Sequence, residues 1–207
     1  MSNQNSRKGT RADATRTALI EAAERLIAEK GLADVSTREI LQEAGQRNQS
    51  ALQYHFGSKK GLIGATINER TKQLDQERLK MLDAIGDSPS LRQLFEVLIL
   101  PLGDLMKERA AGANYLNFLS QAITQPNWNL MRVLDEFNIN GMIRTYQLLN
   151  DEMNHLSDED KIARQSIMFD FTILSVRRWS MESNAHRSLE DTLEFVIEGC
   201  TALAKLD

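Results

Sequence analysis

From Ala14 to Lys30 the apolar residues Leu19, Ile20, Ala22, Ala23, Leu26 and Ile27 recur at intervals of three and four, which predicts an amphipathic helix closed at Gly31. The stretch STRE at 36–39 has the form of a capping box, with Ser36 and Glu39 placed to satisfy each other's backbone N–H groups. The second helix it opens carries Ile40, Leu41 and Ala44 on one edge and lasts about two turns before Gly45. A third short helix is predicted from about Asn48 to Phe56, with Ala51, Leu52 and Phe56 on one side and Gly57 as its breaker. Ser58 then opens a much longer helix that reaches about Ile85 through Leu62, Ile63, Ile67, Leu74, Met81 and Leu82.

The same periodicity continues past the GDSPS punctuation at 86–90. A fifth helix follows Ser90, and Pro101 is expected to kink it or end its first half. A sixth is expected from about Ala113 to Thr124, and a seventh from about Asn127 to Met153 with a local interruption at NING, 138–141. Two more start at Ser157 and Ser188, each with acidic residues in the first turn, where the helix dipole favours them. No segment alternates as a half-buried strand would. The pattern therefore predicts an all-α chain of about nine helices, long enough to bury a core of its own.

Composition narrows this only a little. The chain is 207 residues long, 42% hydrophobic and 26% charged, with three prolines, which suits a helical globular protein. A single cysteine, Cys200, excludes an internal disulfide and a cysteine-based metal cluster, and a small buried side chain is its ordinary use. The basic N-terminal stretch is followed by an amphipathic helix and not by a signal-type apolar run, and nothing reaches the length of a membrane span, so the expected setting is the cytoplasm. Charge changes the picture more. The net charge of −4 divides into +3 over residues 1–60 and −7 over residues 61–207, so the front of the molecule is the part suited to an anionic partner.

That front part contains AGQRNQSALQYHFGSKKGL, residues 44–62. If Ala44, Leu52 and Phe56 anchor the third helix against the first two, the side chains of Gln46, Arg47, Asn48, Gln49, Ser50 and Gln53 are left over. Amides pair bidentately with adenine in the major groove, arginine with guanine, and hydroxyls with either. Two short helices joined at Gly45 form a helix-turn-helix, and the left-over groups are candidates for reading base edges. Lys59 and Lys60, at the start of the next helix, together with Tyr54 and His55, suit phosphate oxygens. The segment GSKKG at 57–61 lacks the spacing of a nucleotide-binding phosphate loop. His155 lies among carboxylates without ligand spacing, and no nucleophile–histidine pair stands out, so neither metal, cofactor nor catalysis is expected.

TRTALIEAAERLIAEKG, STREILQEAG, a short polar helix and YHFGSKKGL, followed by about 140 helical residues, resemble the TetR family of transcriptional regulators over residues 13–65. The resemblance implies a basic tail at 1–12, a DNA-binding domain at 13–57 and a helical domain at 58–207 that dimerises and holds a small effector. It aligns Tyr54, His55 and Phe56 with the family's aromatic-rich end of the recognition helix, and Lys59 with its phosphate-contacting lysine. Between Gly45 and Leu52 this chain is one residue longer than the common pattern, which leaves open which of residues 46–50 enter the groove.

In the C-terminal part, aromatic residues at helical spacing are usually core. Some of them are candidates for an effector cavity: Phe95, Leu98, Leu102, Tyr115 and Phe118 from the fifth and sixth helices, and Trp128, Met131, Tyr146 and Phe169 beyond them. The scarcity of charge between Phe118 and Leu134 suits a mainly apolar ligand. The expected function is a homodimeric regulator, a repressor released by its ligand, acting on a pseudo-palindromic double-stranded operator. Dimerisation is expected through the last two helices, with Ile167, Phe171, Leu174, Arg178, Leu193, Val196, Ile197 and Cys200 as its face. The alternatives are a regulator without effector, whose C-terminal domain only dimerises, and a helical-bundle enzyme.

Overall fold

The computed structural model describes residues 2–107, 109–125, 130–181 and 187–206, and they form ten α-helices with no strand among the described residues. In chain order these are α1 (Ser2–Lys30), α2 (Thr37–Glu43), α3 (Ser50–Phe56), α4 (Lys59–Ile85), α5 (Leu91–Leu105), α6 (Arg109–Ile123), α7 (Leu130–Phe137), α8 (Asn140–Glu152), α9 (Asp158–Met181) and α10 (Leu189–Ala204). The chain divides into two compact units, Met1–Arg70 and Thr71–Asp207, and the division falls inside α4.

The first unit is a three-helix cluster with the opening turns of α4. Helix α1 presents Leu19, Ile20, Ala22, Ala23, Leu26 and Ile27 inward, all nearly inaccessible to water, against Val35, Ile40, Leu41, Ala51 and Leu52 from α2, α3 and their connections. It starts at Ser2, within the stretch expected to be a basic tail; that stretch contains no proline to break a helix, and its Gly9 only weakens one. Ionic contacts clamp the cluster. Arg70 donates to Glu24 at 3.1 Å and Arg16 to Glu69 at 3.1 Å, joining α1 to α4, while Lys30 donates to Glu39 at 2.9 Å and Arg25 pairs with Glu43, joining α1 to α2. Glu24 is the buried member, and burial pushes its carboxyl up against the opposing pull of Arg70.

In the second unit α10 packs on α5 and α9, α6 lies against α9, and α8 lies against α5. Phe95, Leu116, Phe118, Leu149, Val176 and Val196 fill the centre. Helix α5 runs through Pro101 to Leu105, so the proline does not end it. A proline removes the helical donor of the carbonyl four residues back, here that of Val97, and disturbs that turn; the carbonyl of the next residue, Leu98, accepts from Arg78 at 3.1 Å.

Two sequence expectations change. The long seventh helix is two helices, because Asn138 takes a left-handed conformation at φ 54° and the chain turns there before α8 begins; asparagine is among the few side chains that tolerate this. What starts α8 is Asp75. Its two carboxylate oxygens accept from the N–H groups of Gly141 and Met142 at 2.9 Å each, satisfying donors that the short loop leaves without helical partners. Gly141 permits the approach, since a Cβ there would lie 2.7 Å from Asp75 Oδ1 and 3.0 Å from its backbone oxygen.

The candidate dimer face also changes. Leu193, Val196, Ile197 and Cys200 are buried within their own unit. Helix α10 uses its apolar stripe on α5 and α9, so that surface is already covered inside one chain. Among the described residues of α9 and α10, the large apolar side chains left outside are Ile162, Ile167, Leu174 and Met181 on α9 and Phe195 on α10.

Candidate nucleic-acid interface

The helix-turn-helix is built from local interactions. Ser36 Oγ accepts from Glu39 N–H at 3.2 Å while Glu39 Oε2 accepts from Ser36 N–H at 2.9 Å, so the expected capping box is present. Those bonds and Lys30 hold the Glu39 carboxyl down at about 2. At the other end of α2, Gly45 is left-handed at φ 65°. Its N–H reaches Gln42 O at 3.0 Å and the N–H of Gln46 reaches Leu41 O at 2.8 Å, a Schellman closure. Gln46 is used here: its amide nitrogen donates to Ala44 O at 3.1 Å, so the side chain terminates α2 and does not join the outward set.

Asn48 holds the turn that leads into α3. Its Oδ1 accepts from Ser50 N–H at 2.9 Å and its backbone oxygen from Ala51 N–H at 3.1 Å. With that turn ahead of it and Gln49 at its N-cap, α3 starts at Ser50, two residues later than the pattern predicts. Ala51 and Leu52 face the cluster, both under a tenth exposed. Gln49 and Gln53, and Ser50 and Tyr54, lie four residues apart and form the opposite, exposed stripe together with Arg47 in the turn. Tyr54 is 80% exposed, which is costly for an aromatic ring unless something covers it.

His55 and Phe56 are half-buried at the end of the helix, with His55 edge-on to Tyr54 at 4.9 Å between centroids and Arg16 over the Phe56 ring at 5.6 Å. Lys59 is placed differently from a simple outward cation. Its ammonium donates to Leu32 O at 2.7 Å and to Val35 O at 2.5 Å, tying the start of α4 to the α1–α2 connection. A lysine has three donors, so one proton remains beyond these two bonds. Lys60 beside it is exposed.

The second unit has its own cavity. Phe95, Leu98, Leu102, Tyr146 and Phe169 line it, together with Ile99, Met142, Met168, Thr172, Ile173, Cys200 and Arg78. Tyr115 and Phe118 do not. Tyr115 is held by a 3.0 Å hydroxyl bond to Thr71, and its ring lies near-parallel to Phe118 in the core. Trp128 and the side chain of Met131 lie outside the described residues. The cavity measures about 30 Å³ for the centre of a water molecule, room for one or two waters.

Residues 19–66, which contain the whole helix-turn-helix, match the family model for bacterial regulatory proteins of the tetR family. Over that segment the chain resembles the TetR family. No curated protein matches it. Among solved structures, a protein assigned to the TetR-family regulators from Shewanella sp. PV-4 is 17% identical, covering 92% of this chain and 95% of that one with a TM-score of 0.60. One from Rhodococcus sp. is 18% identical, covering 92% and 99% with a TM-score of 0.59. NalD of Pseudomonas aeruginosa, the secondary repressor of the MexAB-OprM multidrug efflux pump, is 20% identical, covering 92% and 96% with a TM-score of 0.53. At these identities the likeness is one of fold.

None of the described helices is long and apolar enough to cross a membrane. Two residues of evident consequence were not singled out by the sequence pattern, Asp75 and Arg78. Their only signal was polar identity on the otherwise inward face of the fourth helix, next to Leu74 and Leu82.

Proposed function

We propose that this protein is a DNA-binding transcriptional regulator that reads a pseudo-palindromic operator as a homodimer, with Gln49, Ser50 and Gln53 on base edges, Arg47 and Tyr54 beside them, and His55, Lys59 and Lys60 on phosphates. The observation that carries the reading is the exposed stripe of α3, amide, hydroxyl and phenol, fixed from behind by Ala51 and Leu52 and at its entry by Asn48. Asn48 is used in the turn ahead of α3, so the reading residues start at Gln49. Two-fold readers place their helices about 34 Å apart, or a multiple of that, which a single short helix cannot exploit.

The pairing surface is a heptad-spaced stripe on α9. Ile167, Leu174 and Met181 are exposed at 59%, 42% and 56%, with Phe171 half-buried between the first two. A two-fold contact of this helix with its copy would cover the stripe. The regulator acts as a repressor, and a ligand in the cavity of the second unit releases it by shifting α4, which belongs to both units. The small size of the cavity favours a second reading, in which no effector exists and the second unit only dimerises.

A gel shift on DNA upstream of the protein's own gene, run over a range of salt, tests the DNA reading. Binding with a steep salt dependence supports it, and retention of binding by a Gln49→Ala, Gln53→Ala double variant with unchanged preference overturns it. Release of that DNA by a small molecule separates the repressor with effector from the regulator without one.

A further inference from the structure

The charge of the first unit is unevenly placed. Residues 13–70 carry eight Lys or Arg against eight Asp or Glu, whereas residues 1–12 carry Arg7, Lys8 and Arg11 and no acid, so the whole positive excess of Met1–Arg70 stands ahead of the helix-turn-helix. The neutral part also uses most of its cations internally. Arg16, Arg25, Lys30 and Arg70 pair with Glu69, Glu43, Glu39 and Glu24, and Lys59 donates to two carbonyls. The other three, Arg38, Arg47 and Lys60, are exposed. Affinity for duplex DNA rests largely on cations that neutralise phosphates and release their counterions. The amide, hydroxyl and phenol groups exposed along α3 supply none of that charge.

Helix α1 continues through the basic stretch. It starts at Ser2, so residues 2–12 form about three turns, roughly 16 Å of helix, ahead of Asp13. Arg7 and Arg11 stand one turn apart, with Lys8 next to Arg7. Just after these turns the Arg16 guanidinium lies over the ring of Phe56, the last residue of α3, at 5.6 Å. The basic turns thus leave the unit from beside the C-terminal end of α3.

Resting on the DNA reading above, we propose that these first turns of α1 are a second DNA-contacting element, in which Arg7, Lys8 and Arg11 take phosphates outside the reach of α3 and raise the affinity for duplex DNA of any sequence. Phosphates carry no sequence information, so the element adds affinity and leaves base preference to α3. The rival anion is the second unit, net −7 over residues 71–207. Were the three cations held there, removing them would leave DNA binding unchanged or tighter.

The test is a binding titration of the full-length protein on the duplex upstream of its own gene and on an unrelated duplex of equal length, at several salt concentrations. The triple variant Arg7→Gln, Lys8→Gln, Arg11→Gln is expected to bind both duplexes about tenfold or more weakly at the lowest salt, with their affinity ratio unchanged. Its log–log salt slope is expected to fall by about 0.9 for each phosphate given up, to a limit of about 2.7 per chain and twice that in a symmetric dimer. Arg7→Gln alone should give about a third of that fall, and Arg7→Lys with Arg11→Lys, which keep the charge, none. The changes lie ahead of Leu19, where the described core begins, and the urea midpoint checks that the fold is kept. Equal or tighter binding by the triple variant, an unchanged slope, a loss confined to the upstream duplex, or a slope lost in the charge-keeping variant would overturn the proposal. If the unaltered protein binds neither duplex, the DNA reading fails and this element with it. If it binds and the triple variant binds alike, the element alone fails.

Discussion

Replacing Asp75 is expected to unfasten α4 from α8. Its carboxylate is 6% exposed and supplies both acceptors for the N–H groups of Gly141 and Met142. Alanine would leave those donors unmet at the start of a helix, and would deprive buried Arg78 of the carboxylate that favours its charge. Hydrogen bonds to a charged group contribute about 1.5–3 kcal/mol each, so the pair is worth about 3–6 kcal/mol, nearer the lower end if water enters the space left behind. Domains are stable by only about 5–15 kcal/mol, which makes this a large fraction. Asp75→Asn keeps one carbonyl oxygen and turns an amide nitrogen towards the second N–H, so it should cost about half as much. Gly141→Ala attacks the same contact by volume, because the new Cβ would lie 2.7 Å from Asp75 Oδ1. Since both changes break one contact, the double variant should lose less than the sum of the singles. Urea unfolding followed by far-ultraviolet circular dichroism, at one protein concentration throughout, measures all four. An Asp75→Ala midpoint equal to that of the unaltered protein would refute the assignment of Asp75 as the start of α8.

On the DNA side, Gln53→Ala should cost about 1–3 kcal/mol on the cognate site and relax preference at one base position per half-site, as read by competition against an operator library. Lys60→Ala should weaken all sequences alike and lower the log–log salt slope by about 0.9 for each phosphate it no longer neutralises, twice that in a symmetric dimer. Lys59→Ala should weaken binding too, but it should also lower the unfolding midpoint, because the carbonyls of Leu32 and Val35 lose their donor. The Glu39 carboxyl is held at about 2 against an ordinary 4.5, so its contribution to α2 is complete above about 4.5 and disappears as the pH falls towards 2. Glu39→Gln should therefore flatten the acid limb of the unfolding profile between those values. Ile167→Asp with Leu174→Asp should convert a dimer to a monomer in sedimentation, and a dimer that persists would place the interface elsewhere.

The parts of this molecule legible in the sequence are those whose causes lie within a few residues. The capping box at Ser36–Glu39, the Schellman closure at Gly45 and the left-handed stop at Gly57 are all local events, so pattern alone located α2 and α3 to within two residues. The same locality made the polar stripe on α3 visible, since a seven-residue helix with Ala51 and Leu52 inward leaves Ser50, Gln53 and Tyr54 outward. Where a polar residue had a choice of partner, the sequence was silent. Gln46 could reach a base or its own helix end, and Lys59 a phosphate or the carbonyls of Leu32 and Val35, chemically alike uses that differ only in what lies nearby.

The second unit depended more on tertiary structure. Periodicity established that α10 is amphipathic, but not whether its apolar stripe meets another chain or its own α5 and α9, because burial in either place demands the same residues. Asp75 meets the start of α8 from 66 residues away. Arg78 reaches Leu98 from 20 residues away and leaves two nitrogens buried with no partner among the described residues. Helical periodicity determines which face of a helix turns inward, since that follows from 3.6 residues per turn. What a polar group finds on that face depends on the register of the neighbouring helices, which only the packed chain decides.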